Sequence, residues 1–233
     1  MTTDYFAGSV AERYDDGSHS SPEVVDPIVD FLEPLASGGA LELAVGTGRI
    51  ALPLAARGVR VAGIDLSPDM VAQLRKKPGG AELSVTVGDM TTTHVDGSFS
   101  LAYLVFNTIG NLTSQDAQVA CFRNAAAHLA PGGCFVIETG VPGAGSLRVF
   151  ALGDTHAGID EYDAATQRLV SHHFFVVDGG WQRRSIPFRS VSPAELDLMA
   201  RLAGMTLTER WANWRRAPFT AESTSHVSVW VKE

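Results

Sequence analysis

The sequence predicts an α/β protein with a doubly wound, mostly parallel sheet. Over residues 40–139, short segments that are apolar on both faces alternate with helix signals, which is typical of strands covered by helices on both sides. After residue 140 the rhythm changes, and strand signals follow one another without a long helix between them. These later segments predict two additions, an inserted antiparallel hairpin and an antiparallel carboxy-terminal edge strand.

The parallel part of the predicted sheet is built from alternating strands and helices. The predicted strands are residues 40–45, 59–65, 82–89, 99–107 and 134–139. The predicted helices cover residues 22–36, 48–57, the segment that follows Ser67, and 113–130. Several begin with a Ser or Asp directly before Pro, which suits the first turn of a helix, where a side-chain cap is needed and a missing N–H costs little.

The last third of the chain predicts the antiparallel additions. Residues 168–178 and 182–191 flank an Asp-Gly-Gly-Trp segment, which indicates a hairpin. Ser192 begins one further helix. The chain then finishes with two strand signals, 205–214 and 225–233, and their short connection favours antiparallel pairing over a helical crossover.

Composition and charge exclude several classes of partner. The 233-residue chain has a net charge of −8, which opposes binding to nucleic acid. It has no apolar run near the ~20 residues needed to span a bilayer, and its amino terminus lacks the features of a signal peptide. Cys121 and Cys134 have no metal-binding spacing. We therefore expect a cytoplasmic protein with no nucleic-acid partner, no membrane association and no metal site.

A glycine-rich turn joins the first predicted strand to its helix, in the stretch LELAVGTGRI at residues 41–50. Glycines there let the backbone approach a ligand, and the helix start offers free N–H groups. The turn also satisfies the dinucleotide pattern G-x-G-x-x-[G/A]. Asp65 ends the second strand, where its carboxylate can accept hydrogen bonds from both hydroxyls of a ribose. This combination fits NAD and S-adenosylmethionine alike, so the turn alone leaves both open.

Three further features favour the sulfonium ligand. Glu42 stands four residues before Gly46, where a carboxylate would repel a pyrophosphate but suits a ligand that carries an ammonium and a sulfonium. Gly88-Asp89-Met90 closes the third strand, and an Asp followed by an apolar residue can bind an adenine amino group and cover its ring. Phe106-Asn107 ends the fourth strand, at the crevice where doubly wound sheets bind ligands.

These motifs, in this order, resemble the class I S-adenosylmethionine-dependent methyltransferases, which have a Rossmann-like fold. The segments that carry the resemblance are ELAVGTGRIALPLA, GIDLSPDMV, VGDM, FNTIGNL and LAPGGCFVIE. The likeness covers about residues 10–140, and the carboxy-terminal strand pair also fits the family's sheet. Ala44 stands where the family pattern often has its first glycine. The insert is similar to that of small-molecule N-methyltransferases that dimethylate aminosugars.

The resemblance implies that S-adenosyl-L-methionine is the cofactor and S-adenosyl-L-homocysteine the product. The implied cofactor-binding residues are Tyr14, Glu42, Ala44, Gly46, Gly48, Arg49, Asp65, Leu66, Met70, Gly88, Asp89, Met90 and Phe106. Glu42 and the loop would hold the methionyl part, and Asp65 would hold the ribose. Leu66 and Met90 would flank the adenine, with Asp89 on its amino group.

The candidate catalytic residues are Tyr14, Asn107 and His173. The resemblance places Tyr14 over the cofactor and Asn107 at the methyl-transfer face. His172 and His173 are neighbours on a predicted strand, so they face opposite sides and only one of them can look into the crevice. Glu138, at the end of the fifth strand, is a further candidate for a general base.

We expect one domain over residues 1–233. Its parts are an amino-terminal lid with helices (1–36), a cofactor-binding core (37–140), an inserted hairpin or substrate lid (141–191), and a carboxy-terminal helix with antiparallel strands (192–233). We expect methyl transfer to an N or O nucleophile of a small molecule, in specialised metabolism, by a monomer or homodimer. The sequence leaves open a non-catalytic S-adenosylmethionine-binding module, a nicotinamide-dependent oxidoreductase, or a cofactor-bound enzyme of another class such as a cyclase.

Overall fold

A seven-stranded sheet with helices on both faces forms the body of the protein, and a second sheet of four antiparallel strands is attached to it. The computed structural model describes residues 4–16, 18–143, 145–177 and 179–233. Within them the α-helices are α1 Ser9–Glu12, α2 Pro22–Leu32, α3 Ala51–Ala56, α4 Pro68–Arg75, α5 Gln115–His128 and α6 Pro193–Leu202. No helix of this described part is long and apolar enough to cross a membrane.

The strands of the body sheet are β1 Ala40–Leu43, β2 Val61–Asp65, β3 Ser84–Val87, β4 Phe99–Leu104, β5 Leu129–Gly140, β10 Met205–Trp211 and β11 Ser225–Lys232. Their spatial order is β10-β11-β5-β4-β1-β2-β3. Strands β1 to β5 run parallel, whereas β11 is antiparallel to both β5 and β10. The predicted doubly wound, mostly parallel sheet with an antiparallel carboxy-terminal addition is therefore confirmed. The strand order reverses between β1 and β4, which is where such sheets bind ligands.

Helix caps and aromatic packing fix the body of the fold. The predicted cap Ser67 accepts a hydrogen bond from the Met70 N–H, and Ser192 accepts one from the Glu195 N–H. On the α5 face of the sheet, the Phe122 ring packs edge-on against Phe135 and Trp230. The other face is covered by α2 and α3, which bury Val25, Ile28, Val29, Phe31 and Leu32 of α2 and Ala51 and Leu54 of α3 against it. Both cysteines are free and buried.

The boundaries of α5 and β5 differ from the prediction. The helix begins at Gln115, with Ser114 as its cap, and ends at His128 instead of residue 130. Strand β5 begins at Leu129 and includes residues 131–133, which lie between the predicted helix and the predicted fifth strand. Gly133 lies close to the backbone carbonyls of Phe99 and Ser100, so this part of β5 packs closely against strand β4.

The insert is larger than the predicted hairpin. It contains β6 Leu147–Leu152, β7 His156–Asp163, β8 Arg168–Val177 and β9 Gly180–Arg189, paired antiparallel in that order. Strands β8 and β9 are the predicted hairpin, and Asp178 of its turn lies outside the described residues. The segments of β6 and β7 were not predicted as strands. Strand β7 (HAGIDEYD) has a glycine and three acidic residues, a composition with weak strand preference.

A buried arginine attaches the insert to the body. Arg189, at the end of β9, donates hydrogen bonds to Glu195 Oε1 at 2.6 Å and to Gln167 Oε1 at 2.6 Å. It also donates to the side chain of Gln118 on α5. Gln167 in turn donates to Glu195 Oε2 at 2.8 Å. Because hydrogen bonds to charged groups in buried surroundings are strong, this network holds the insert against α5 and α6.

Candidate active site

The loop after β1 bends through left-handed backbone conformations. Ala44 and Gly46 each have φ of 56°, and Gly48 has φ of 76°. A Cβ at position 46 would lie 3.2 Å from Cε of Met70, so the methionine packs where a side chain would otherwise stand. The glycine is needed there for its backbone angle and for this close approach. The loop therefore presents bare backbone to the crevice.

Asp65 ties this loop to the end of β2. Its Oδ2 accepts a hydrogen bond from the Gly46 N–H at 2.6 Å, and its Oδ1 accepts one from the Ser67 N–H at 2.8 Å. Burial raises the pKa of the Asp65 carboxyl, and the two backbone donors oppose that shift. A carboxylate has about four acceptor positions, so each oxygen retains capacity for a ribose hydroxyl.

A cavity of about 520 Å³ opens beside the loop, and we call it the loop cavity. Its lining includes much of the predicted cofactor set: Tyr14, Ala44, Gly46, Asp65, Leu66, Met70, Asp89 and Met90. Asp89 Oδ1 accepts hydrogen bonds from the N–H and hydroxyl of Thr91, at 2.8 and 2.7 Å, which holds its carboxylate at the end of β3. Residues far apart in sequence thus meet in one cavity of a size usual for small-molecule sites.

The amino-terminal segment lies across the loop cavity. Asp4, Tyr5 and Phe6 line it, although the sequence analysis did not select them. The Gly8 N–H donates to Asp69 Oδ2 at 2.7 Å, and Arg184 of the insert donates to the Tyr5 carbonyl. The segment is thus held at both sides. In the sequence, only the aromatic pair Tyr5 and Phe6 in an otherwise polar amino-terminal segment could have indicated this role.

Other lining residues come from distant parts of the fold. They are Ile64, Ser67, Thr108, Asn111, Leu112, Thr113, Ile186 and Pro187. Ile186 and Pro187 belong to β9, so the insert covers part of the loop cavity. No local pattern identifies them, because only the attachment of the insert brings them to the crevice.

Five predicted cofactor residues do not line the loop cavity: Glu42, Gly48, Arg49, Gly88 and Phe106. Gly48 and Arg49 instead line a separate cavity beside α2 and α3. Gly48 packs against Leu52 and Leu74, and a Cβ at Gly88 would collide with Thr93.

Glu42 is buried beneath the loop. Its Oε2 accepts a hydrogen bond from the Tyr103 hydroxyl at 2.9 Å. Burial raises the pKa of Glu42 to about 8, although Tyr103 and the charge of Arg49 oppose the shift. The carboxyl is therefore mainly protonated at neutral pH, and a nearby cation would favour its ionisation.

Arg49 lies between two aromatic rings. Its guanidinium carbon is 3.6 Å from the centre of the Phe106 ring and 5.4 Å from that of Tyr14. Its Nε is buried, with no hydrogen-bond partner among the described residues. Phe106 has φ of 55°, and Glu138 Oε2 accepts its N–H at 2.8 Å. Arg49 is therefore a cation at the loop with an unused donor.

A second cavity, also of about 520 Å³, lies between the end of β5 and the insert, and we call it the insert cavity. Asn107 and His173, two of the candidate catalytic residues, line it. Asn107 Oδ1 accepts hydrogen bonds from the Thr139 hydroxyl and, at 3.1 Å, from the Gly140 N–H. Asn107 is followed by Thr108 of the loop cavity, and Pro187 of the loop cavity is followed by Phe188 of the insert cavity, so consecutive residues contribute to the walls of the two cavities at two places.

The remaining candidate residues are placed differently. Tyr14 lines the loop cavity, and burial raises its phenol pKa, so it stays protonated at neutral pH. His172 faces away from the insert cavity, with Nδ1 2.8 Å from Ser185 Oγ and Nε2 3.4 Å from Glu161 Oε2. The described residues contain no group of three or more His, Cys, Asp or Glu side chains arranged for a metal ion.

The glycine loop, the carboxylate after β2 and the crevice at the reversal of strand order define an α/β enzyme that binds a nucleoside. Residues 40–133 match the methyltransferase domain family. The CcbJ methyltransferase from Streptomyces caelestis shares 34% identity with this chain, with a TM-score of 0.86 and 96% of each chain covered. This protein therefore belongs to the methyltransferases.

Two curated relatives extend the comparison. A cypemycin N-terminal methyltransferase from a Streptomyces species is 29% identical over 207 residues, which cover 84% of each chain. A dTDP-3-amino-3,6-dideoxy-α-D-glucopyranose N,N-dimethyltransferase from Streptomyces fradiae is 33% identical over 175 residues, 72% of this chain and 66% of that protein. Structures with this fold have been solved with S-adenosylmethionine and with S-adenosylhomocysteine bound. The chain is an S-adenosylmethionine-dependent methyltransferase, and the resemblance seen in the sequence is confirmed.

Proposed function

We propose that this enzyme transfers the methyl group of S-adenosylmethionine to an amine nitrogen of a small molecule. The observation that carries the proposal is the pair of adjoining cavities, one beside the glycine loop and Asp65, the other lined by Asn107 and His173. A donor in the loop cavity and an acceptor in the insert cavity would meet at the end of β4. The cofactor supplies a methyl group on a positively charged sulfur, and the protein supplies proximity and exclusion of water.

The loop cavity suits the nucleoside half of the cofactor. Asp65 would accept the ribose hydroxyls with the acceptor positions that its backbone donors leave free. Leu66 and Met90 would flank the adenine, and Asp89 would accept from its amino group. Tyr14 would cover the ligand from the amino-terminal side, since it lines the same cavity.

The methionyl half would lie toward Arg49 and Glu42. The guanidinium of Arg49 suits a carboxylate, and its buried, unpartnered Nε supports this assignment. Glu42 beneath the loop would respond to the ammonium and sulfonium charges, which favour its ionised form. Phe106 and Asn107 would line the face across which the methyl group moves.

A nitrogen acceptor is supported by the relatives and by the insert cavity. One similar enzyme is an N-terminal methyltransferase of cypemycin, and another is an N,N-dimethyltransferase of an amino-deoxyglucopyranose nucleotide. An aliphatic amine is mostly protonated at neutral pH and must lose a proton before it attacks. Burial lowers the pKa of His173 in the insert cavity, so a neutral imidazole is available there. We expect a specialised-metabolism acceptor, a cytoplasmic enzyme, and a monomer or homodimer.

The test is methyl transfer from isotopically labelled S-adenosylmethionine to a defined panel. The panel contains dTDP-3-amino-3,6-dideoxy-α-D-glucopyranose, a peptide with a free amino terminus, and matched analogues in which a hydroxyl replaces each amine. We expect label on at least one amine and none on its hydroxyl partner, with the methylated atom located by mass spectrometry. Label on the hydroxyl analogues would contradict the amine assignment, and so would no transfer to any amine.

A further inference from the structure

We propose that His173 and His156 form a proton-exit chain that carries a proton from the insert cavity toward the protein surface, and that Ser171 holds the His173 ring in the tautomer that accepts it. The inference rests on the proposed function, because it assumes that an amine acceptor occupies the insert cavity. It assigns His173 as the base and His156 as the group that receives the proton from it.

The geometry connects the three side chains in a line. Ser171 Oγ lies 3.3 Å from His173 Nε2, and His173 Nδ1 lies 3.1 Å from His156 Nε2. Ser171 and His173 line the insert cavity, and His156 on the neighbouring strand β7 is partly exposed. The two imidazole rings are within 7° of parallel. The chain therefore begins in the cavity and ends at a ring that solvent can reach.

The hydrogen bonds give this chain a direction. If the Ser171 hydroxyl donates to His173 Nε2, then the neutral His173 ring carries its proton on Nδ1 and donates to His156 Nε2. His156 then carries its own proton on Nδ1. At 3.3 Å the contact with Ser171 is longer than a strong hydrogen bond, so an amine in the cavity can compete for Nε2.

Burial and the neighbouring positive charges lower the pKa of His173 and so favour its neutral form. Burial is the main cause of its lowered pKa, and His156 and Arg184 act in the same direction. Asp160 on β7 opposes them, but Arg148 on β6 pairs with its carboxylate at 2.8 Å. These are the titratable and charged groups that strands β6, β7 and β9 direct at the ring. A base that is neutral at physiological pH and readily passes its proton on suits general base catalysis.

Each methyl transfer to an ammonium substrate releases one proton, which the proposed chain would carry away. The amine lone pair attacks the methyl carbon, an N–C bond forms, the C–S bond breaks, and sulfur keeps the electron pair. One proton must leave nitrogen for each methyl group added to an ammonium substrate. It goes to His173 Nε2, while the proton on His173 Nδ1 passes to His156 Nε2 and the His156 Nδ1 proton leaves to water.

The first test needs no acceptor. The full-length enzyme, labelled with ¹⁵N-histidine and saturated with S-adenosylhomocysteine, is measured by NMR at pH 7.5. We expect a neutral His173 ring with its proton on Nδ1, and a shifted His173 Nδ1 resonance in His156→Phe. His172→Phe is the matched control, because it makes the same change on the opposite face of the same strand. A His173 proton on Nε2, or on both nitrogens, would overturn the proposal.

The second test measures kcat against pH with dTDP-3-amino-3,6-dideoxy-α-D-glucopyranose, or with the panel peptide if only the peptide accepts a methyl group. We expect His173→Phe to lower kcat at least about 100-fold. His156→Ala, which vacates the space of the ring, should lower it about tenfold, with recovery as imidazole is added to the buffer, and His172→Ala should match the wild type and not respond to imidazole. Unchanged S-adenosylhomocysteine affinity and melting temperature would show that the variants fold.

The outcomes separate the two proposals. No methyl transfer by the wild-type enzyme to either amine overturns the proposed acceptor class, and the NMR measurement then decides the direction of the chain alone. Normal kcat in His156→Ala, or a loss that imidazole does not restore, overturns the proton-exit chain and leaves amine methylation standing. A purely structural role for His156 would not respond to added imidazole.

Discussion

Replacing Glu42 with glutamine should change how the stability of the protein depends on pH. Burial raises the pKa of this carboxyl from its ordinary 4.5 to about 8. The folded protein then holds the proton more tightly than the unfolded chain, so ionising the group costs folding free energy. The cost is absent below about pH 4.5, grows as the pH rises, and levels off above about pH 8. Glu42 therefore lowers the stability of the protein as the pH rises, whereas a carboxylate stabilised by an ion pair raises it.

The size of the effect follows from the shift. One pKa unit corresponds to about 1.4 kcal/mol, so the full cost approaches about 5 kcal/mol, of which about 3 kcal/mol develops between pH 5.5 and 8.5. Glutamine has nearly the same shape, and its amide oxygen can still accept from the Tyr103 hydroxyl. Relative to wild type, Glu42→Gln should therefore gain about 3 kcal/mol of stability across that interval.

Urea unfolding at pH 5.5, 7.0 and 8.5, extrapolated linearly to water, measures this difference. Comparing variant with wild type at each pH removes the contributions of other titrating groups. Glu82→Gln, at an exposed position, is the control for the loss of a carboxylate. A difference between Glu42→Gln and wild type that stays constant with pH would refute the reasoning, because it would mean that Glu42 has similar pKa values in the folded and unfolded states.

Two further predictions concern the loop. Gly46→Ala should lower stability by about 1 kcal/mol or more, from its positive φ and the 3.2 Å approach to Met70, and should weaken S-adenosylhomocysteine binding in calorimetry. Gly58→Ala, with φ of 86° and no atom near its Cβ, should carry only the backbone cost and bind normally. Arg49→Lys should raise the dissociation constant for S-adenosylhomocysteine about tenfold, because an ammonium cannot make the two-pronged contact with a carboxylate. Equal affinity would remove Arg49 from the site.

The parallel core could be predicted because its signals are local. Strands β1, β2 and β4 are short, mainly apolar runs, and Ser67 and Ser192 mark helix starts with a side chain that accepts a free N–H of the first turn. Gly46 and Asp65 could be selected for the same reason, since a glycine turn and a strand-end carboxylate are visible in a few residues. The structure places both in the loop cavity.

What the sequence did not indicate depends on contacts between distant segments. The β7 segment contains His156 and Asp160, and its polar composition is typical of a loop. It forms a strand because it pairs with β8. Tyr5 enters the loop cavity only because Arg184 and Asp69 hold the amino-terminal segment across it. The protonated state of Glu42 is equally non-local, because it arises from the depth at which the fold buries the carboxyl.

Calorimetric titration of S-adenosylhomocysteine into wild type, Asp65→Ala and Asp116→Ala tests the assignment of the loop cavity most directly. Asp116 is exposed in the first turn of α5, so its variant controls for loss of a surface carboxylate. The account predicts tight binding by wild type and Asp116→Ala. It predicts about 10- to 100-fold weaker binding by a folded Asp65→Ala, the value of one or two hydrogen bonds to a charged acceptor. Equal affinity of all three proteins would contradict it.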